Sequence, residues 1–347
     1  MSDLDAAMLD MMIDMGRRAR AAADALRATT PDARTEALHR LATALRAAEA
    51  DILAANARDV ARARDGGLSE ALIDRLALSP ARVEGMAVAV ETIAAQPDPV
   101  GAEMARWTPA NGLDIARVRT PIGVLAVIYE SRPNVTADAA ALCLRSGNAA
   151  ILRCGSDCLE SSRAIAAVVS RAVTEAGLPA DAIQLVPVPD REAVGAILSG
   201  LEGTIDLIIP RGGKSLVARV QAEAKAPVLG HLEGLCHTYL DAAADLDVAR
   251  RVAVNAKMRR VSVCGATETL LVDRAAAGRL LPAVAADLIN AGCELRGDAE
   301  TRALVPEAAE ATEADWTTEY LAPVLSVRVV DGVAGAVDHI RAYGSGH

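Results

Sequence analysis

At 347 residues the chain has room for two or three domains of roughly 100–200 residues each, and 52% hydrophobic against 24% charged content excludes a disordered protein. Two Trp, four Tyr and no Phe leave Ala, Leu, Val and Ile to build the core and argue against aromatic base-stacking platforms. A net charge of −10 disfavours a general electrostatic hold on nucleic acid or anionic lipid, so neither partner is expected and any anionic ligand must be gripped locally.

No apolar run reaches the roughly 18 residues of a membrane span, and the acids ahead of the N-terminal Met cluster do not fit a secretory signal. Six cysteines, at 143, 154, 158, 236, 264 and 293, form no Cys-x-x-Cys pair, which points to free thiols in a reducing cytoplasm.

From Asp3 to about Ala95 the chain is Ala-rich with apolar positions three and four apart, which predicts several helices forming a covering layer. Thr30-Pro31 reads as an N-cap and first-turn proline; Gly66-Gly67 and Leu78-Ser79-Pro80 are breaks. The segment 96–111 is richer in Pro and Gly, and residues 109–120 read as an exposed strand that bridges domains or subunits. From Pro121 the texture changes to short apolar runs (GVLAVIYE, AAILRC, IQLVPV, IDLIIP) alternating with helical stretches. A second such stretch holds HTYLD, VSVCG, TETLLV and APVLSVRVV. The fold class is therefore α/β: two α/β domains with open, mostly parallel sheets behind an N-terminal helical layer.

Four strand ends carry polar groups suited to chemistry. IYESRPNVT delivers Arg132 and Asn134 to the end of a buried strand, where an amide can donate to an oxyanion or simply cap the next helix. Arg153 closes AAILRC and can fork onto a phosphate, including a 2′-phosphate, or serve as a surface Arg. IDLIIPRGGKSLV places Gly212 and Gly213 between strand and helix, where backbone can approach a pyrophosphate, although it is neither a Walker A loop nor a full Gly-x-Gly-x-x-Gly. RRVSVCGATETLLV brings Cys264 to a turn with Lys257, Arg259 and Arg260 upstream, a setting that favours thiolate; the plain alternative is a buried Cys acting as a small hydrophobe. His231, Glu233, Cys236 and His237 match no zinc spacing, so no metal is expected. Glu319, ahead of Pro323, could face a ribose but carries no argument alone.

Taken in order, IGVLAVIYESRPNVTADAAALCLRSGNAAILRCGSD, LIIPRGGKSLV, PVLGHLEGLCHTYLD, NAKMRRVSVCGATETLLVD and TEYLAPVLSV closely resemble the γ-glutamyl phosphate reductases, or glutamate-5-semialdehyde dehydrogenases, of the aldehyde dehydrogenase superfamily. The resemblance spans the chain and is weakest over the N-terminal helices. It implies an aldehyde-dehydrogenase-like fold, with residues 1–236 an NADP-binding domain and 237–347 a catalytic cysteine domain. It also implies NADPH-dependent reduction of L-glutamyl 5-phosphate to L-glutamate 5-semialdehyde, with release of phosphate, in proline biosynthesis.

Carried over residue by residue, the resemblance makes Cys264 the nucleophile that forms a thioester and Asn134 the oxyanion donor. Arg153 would contact the adenosine ribose, Gly212 and Gly213 the pyrophosphate, and Glu319 the nicotinamide ribose; Arg132, Arg259 and Arg260 are candidates for the substrate's carboxylate or phosphate. The deacylating Glu of hydrolytic relatives falls within a residue of His231, as suits a thioester not destined for water. The family continues for several tens of residues beyond RAYGSGH with a strand that pairs between subunits, so a homo-oligomer is expected where that segment is present. The alternatives are another acyl-phosphate or aldehyde dehydrogenase and an inactive truncated homologue acting as a binding subunit.

Overall fold

The computed structural model describes residues 3–347, which divide into two compact units, Met1–Gly230 and His231–His347. The sequence places the change of domain a few residues later, at 236/237; residues 231–235 belong with the second unit because they pack on its Cys264 turn.

The first unit opens with five helices: α1 (Asp3–Arg27), α2 (Pro31–Ala47), α3 (Glu49–Asp65), α4 (Glu70–Leu76) and α5 (Pro80–Ala95). Thr30 and Ser79 cap α2 and α5 by accepting from the amides of Ala33 and Arg82, each at 3.2 Å, with proline next in the chain. Then come β1 (Glu103–Trp107) and β2 (Ile115–Val118), an antiparallel ribbon with Met104, Trp107 and Val118 exposed. The exposed strand expected at 109–120 is β2. Its partner β1 lies in the Pro/Gly-rich segment, where composition concealed it.

The sheet follows: β3 (Val124–Tyr129), α6 (Val135–Arg145), β4 (Ala149–Cys154), α7 (Leu159–Glu175), β5 (Ile183–Leu185), α8 (Arg191–Leu198), β6 (Leu207–Arg211) and α9 (Lys214–Glu223). All pairs are parallel, in the order β5-β4-β3-β6, and every residue of β3 and β4 is buried, as continuous apolar runs require. The chain builds outward from β3 to β5 and then returns to lay β6 on the other side of β3. That reversal sends α8 to the face opposite α6 and α7, where α1 joins it.

Helices α2, α3 and α5 form an outer layer over α6 and α7. Fully buried Asp59 of α3 fastens it, accepting from the Ser161 amide at 2.8 Å and its hydroxyl at 2.6 Å in the first turn of α7.

The second unit contains β7 (Cys236–Leu240), α10 (Leu246–Met258), β8 (Thr267–Asp273), α11 (Ala277–Asn290), β9 (Glu294–Gly297), α12 (Ala299–Leu304), β10 (Ala309–Glu310), β11 (Val324–Val330) and α13 (Gly332–Tyr343). Its sheet, β10-β9-β11-β8-β7, is again wholly parallel. Strand alternation divides the core: Leu270 and Val272 face α10 and α11, whereas Leu271 joins Val330 and Ala336 of α13. Short β9 and β10 carry too little apolar pattern to be read from sequence.

One expectation fails here. VSVCG is not a strand: residues 261–266 form turns, with the Ala266 amide donating to the Val263 carbonyl at 3.0 Å, and pairing starts at Thr267.

Candidate active site

In the first unit the candidate groups gather where β3 and β6 end side by side. Open parallel sheets bind ligands beyond strand C-termini where the strand order reverses, and β3/β6 is that place. Gly212 and Gly213 follow β6, with Gly213 the N-cap residue of α9, whose amides and dipole favour an anion. A side chain at Gly212 would run into Glu130 and Leu216; at Gly213 it would meet nothing. The Gly213 amide donates to Glu130 Oε2 at 3.2 Å, so a carboxylate of IYESRPNVT to which the sequence assigns no role faces this loop.

Next to Glu130, buried Ser131 takes a left-handed φ of 49° and donates to Asp157, holding the chain in a sharp exit from β3. Half-buried Arg132 follows. Asn134 stands at the N-cap of α6 without capping it; its Nδ2 donates to Asp138 Oδ2 at 2.9 Å. Burial pushes the Asp138 carboxyl above its ordinary value despite that hydrogen bond.

Arg153 is not a surface residue. It is 7% exposed, and Nη2 donates to the carbonyls of Pro189 (2.8 Å) and Asp190 (3.2 Å), while buried Nε has no hydrogen-bond partner. The uncrowded Cα of Gly213, the start of α9 and this orphaned guanidinium nitrogen fit a phosphate-bearing dinucleotide that takes the Gly213 amide from Glu130.

The second unit is arranged the other way. Strands β7, β8 and β11 are adjacent and parallel, so the segments preceding them share one edge, and α13, connected to β11 by a tight turn, brings its C-terminal end back there. Half-buried Cys264 occupies the turn before β8. Gly234, before β7, lies against it so closely that a Cβ would overlap the Cys264 carbonyl. The Gly234 amide donates to Glu319 Oε1 at 3.1 Å, so one glycine connects the thiol turn and the carboxylate before β11. Cys236 Sγ lies 3.3 Å from the Cys264 carbonyl oxygen, and burial pushes its thiol up, reinforced by Cys264, Glu268 and Glu319 nearby.

Lys257 does not present a bare charge to the thiol turn. It is fully buried and paired with equally buried Glu268 at 2.6 Å, with its ammonium 5.8 Å from the Tyr320 ring centroid. Burial raises the Glu268 carboxyl, against the opposing pull of Lys257. Arg259 and Arg260 are exposed at the end of α10.

The four-residue cluster is divided by strand alternation. His237 turns toward His339, ring centroids 5.3 Å apart, whereas Cys236 faces Cys264. His231 lies 4.1 Å centroid to centroid from His347, and donor atoms of His231, Cys264 and His347 all lie within 4.8 Å of one another. The sequence assigns no role to His347 or Gly234; both come to Cys264 through strand order. All six cysteines are free thiols.

The aldehyde dehydrogenase family model matches residues 2–316. The γ-glutamyl phosphate reductase of Caulobacter vibrioides is 66% identical over 336 residues, covering 97% of this chain and 81% of that protein. The crystal structure of γ-glutamyl phosphate reductase from Thermotoga maritima matches with a TM-score of 0.91 at 40% identity, covering 97% of this chain and 81% of that one. An acetylating aldehyde dehydrogenase from Geobacillus thermoglucosidasius, 17% identical with a TM-score of 0.66 over 99% of this chain and 81% of that one, shares the fold.

Proposed function

The chain belongs to the aldehyde dehydrogenase family, and from that premise we propose that it reduces L-glutamyl 5-phosphate to L-glutamate 5-semialdehyde with release of phosphate, the second step from glutamate to proline. The observation that carries this reading is 66% identity to a γ-glutamyl phosphate reductase across 97% of the chain. The family uses a nicotinamide cofactor; NADPH is the form proposed here, on the strength of Arg153.

Cys264 attacks the acyl carbon, the bond to phosphate breaks, and the acyl group rests on sulfur as a thioester, so two modest barriers replace a high one. Asn134 is assigned the donation to the developing oxyanion, together with the Cys264 amide. Gly212 and Gly213 would hold the pyrophosphate, Arg153 the adenosine ribose and Glu319 the nicotinamide ribose. Bound there, the cofactor supplies the hydride that reduces the thioester.

The unit 1–230 is accordingly proposed as the NADP-binding domain and 231–347 as the catalytic domain, the boundary moving from 236/237 because residues 231–235 pack on the Cys264 turn. Arg132, Arg259 and Arg260 are proposed to meet the substrate's carboxylate or phosphate. The exposed β1–β2 ribbon is the proposed surface for self-association. Among the described residues no helix is long and apolar enough to cross a membrane, and the free thiols are the ground on which a cytoplasmic setting is proposed.

The test is the reverse reaction, glutamate 5-semialdehyde with NADP⁺, followed by NADPH absorbance with and without phosphate. Phosphate-dependent NADPH formation that disappears in Cys264→Ala, while cofactor binding survives, is the expected result. A folded protein without phosphate-dependent turnover, or a Cys264→Ala variant that retains it, would overturn the assignment.

A further inference from the structure

The acyl phosphate reading leaves one chemical demand unmet by the groups already assigned. An acyl phosphate dianion whose carbon–oxygen bond breaks without a proton would release the phosphate trianion, a poor leaving group at neutral pH, so a proton must reach the bridging oxygen as that bond breaks. Beside Cys264 stand two imidazoles. Nitrogens of His231 and His347 and the Cys264 sulfur lie within 4.8 Å of one another, and the two rings are 4.1 Å apart between centroids.

That spacing suits the reaction. A carbon and an oxygen of the substrate can stand between sulfur and an imidazole nitrogen, with the oxygen at a normal hydrogen-bond distance of about 2.8 Å from the nitrogen. His231 is held by the segment that packs on the Cys264 turn through Gly234. His347 lies two residues past Ser345, whose hydroxyl accepts from the Leu235 amide at 3.0 Å, so both histidines hang from one hydrogen-bonded pair of segments. Two neighbouring charges have other partners: Lys257 is paired with Glu268, and Glu319 accepts from Gly234.

We propose that His231 and His347 form the phosphate-binding pole of the Cys264 site, holding the substrate's phosphate and delivering the proton on which its departure depends. This rests on the acyl phosphate reading above. The thiol of Cys264 passes its proton to an imidazole, and the thiolate forms the carbon–sulfur bond. The carbon–oxygen bond then breaks with its electron pair on oxygen, and the imidazolium gives the proton to that oxygen. Hydrogen phosphate leaves and the imidazole is neutral again, one proton having moved from sulfur to phosphate. In the reverse direction an imidazole takes the proton from hydrogen phosphate as it attacks the thioester.

Two measurements on His231→Asn and His347→Asn test this. The first is phosphate-dependent NADPH formation, expected to fall by roughly 10²-fold or more in each variant, with a raised KM for phosphate. The second needs no turnover: alkylation of Cys264 by iodoacetamide, read by mass spectrometry with and without inorganic phosphate. Phosphate is expected to slow labelling of the parent and to lose that protection in both variants.

Variant rates within about threefold of the parent, an order-of-magnitude margin below the usual acid–base effect, would overturn the proposal. So would equal protection in parent and variants, or none in the parent. A parent rate abolished by a chelator and restored by Zn²⁺ would assign the three donors to a cation instead. Failure of the function itself shows separately, as absent turnover or as turnover that survives Cys264→Ala, while the alkylation experiment still decides the histidines.

Discussion

The two sheets are both fully parallel, yet they present their candidate residues at opposite edges. In the first, Glu130 to Asn134 and Gly212-Gly213 follow the C-terminal ends of β3 and β6, where strand order reverses, and Arg153 is the penultimate residue of β4. In the second, His231 to Leu235, Cys264 and Glu319 precede the N-terminal ends of β7, β8 and β11. The first edge has an uncrowded Gly213 and a helix start, features that receive an anion. The second is packed tightly around one thiol and supported by a buried ion pair. A general rule of open sheets finds the former; the latter is visible only when the strands are assembled.

If the second edge depends on its buried support, disturbing that support should have the largest effect. Lys257→Met strands the Glu268 carboxylate in the interior, and about 3–5 kcal/mol of stability should be lost, measured by denaturant unfolding. Lys257→Met with Glu268→Leu should recover much of it; a single variant as stable as the parent would show the pair to be dispensable.

His339 probes the same unit through pH. Burial beside His237 and Arg328 pushes its imidazole from 6.5 down to about 4. The unfolded chain therefore takes up this proton before the folded one does. Its contribution is complete above about pH 6.5 and is lost as pH falls toward 4, amounting to about 3 kcal/mol at about 1.4 kcal/mol per pH unit. His339→Leu should flatten that stretch of the stability–pH curve; an unchanged slope would place the acid sensitivity elsewhere.

The glycines sharpen the contrast directly. Gly234→Ala pushes a methyl into the Cys264 carbonyl and should lower turnover, followed by NADPH absorbance, on the order of 10²-fold by displacing the thiol. At the first edge Gly213→Ala meets no atom and should change stability by no more than about 0.5 kcal/mol while weakening nucleotide binding, measured by titration calorimetry. If Gly234→Ala is silent and Gly213→Ala cripples folding, the two edges have been assigned the wrong way round.

Much of this was legible in the residues. Helix starts at Thr30-Pro31 and Ser79-Pro80 are local chemistry, and the buried β3 and β4 announce themselves as unbroken apolar runs. Cys264 stood out for its surroundings, although the turn holding it reads as a strand because Val261 and Val263 flank Ser262. β1 was hidden because an exposed ribbon needs no apolar alternation, and β9 and β10 because two to four residues carry too little pattern.

The sequence by itself determined that the chain alternates strands and helices into parallel sheets behind a helical layer, and which thiol and strand-end polar groups merit attention. Those features follow from periodicity and turn chemistry within about ten residues. Only the tertiary structure decided that Gly234 touches Cys264, that Lys257 answers Glu268 rather than the thiol, that Arg153 is buried against the 189–190 carbonyls, and that His231 and His347 flank one sulfur. Each joins residues 11 to 116 positions apart through strand order and packing, which local spacing does not encode.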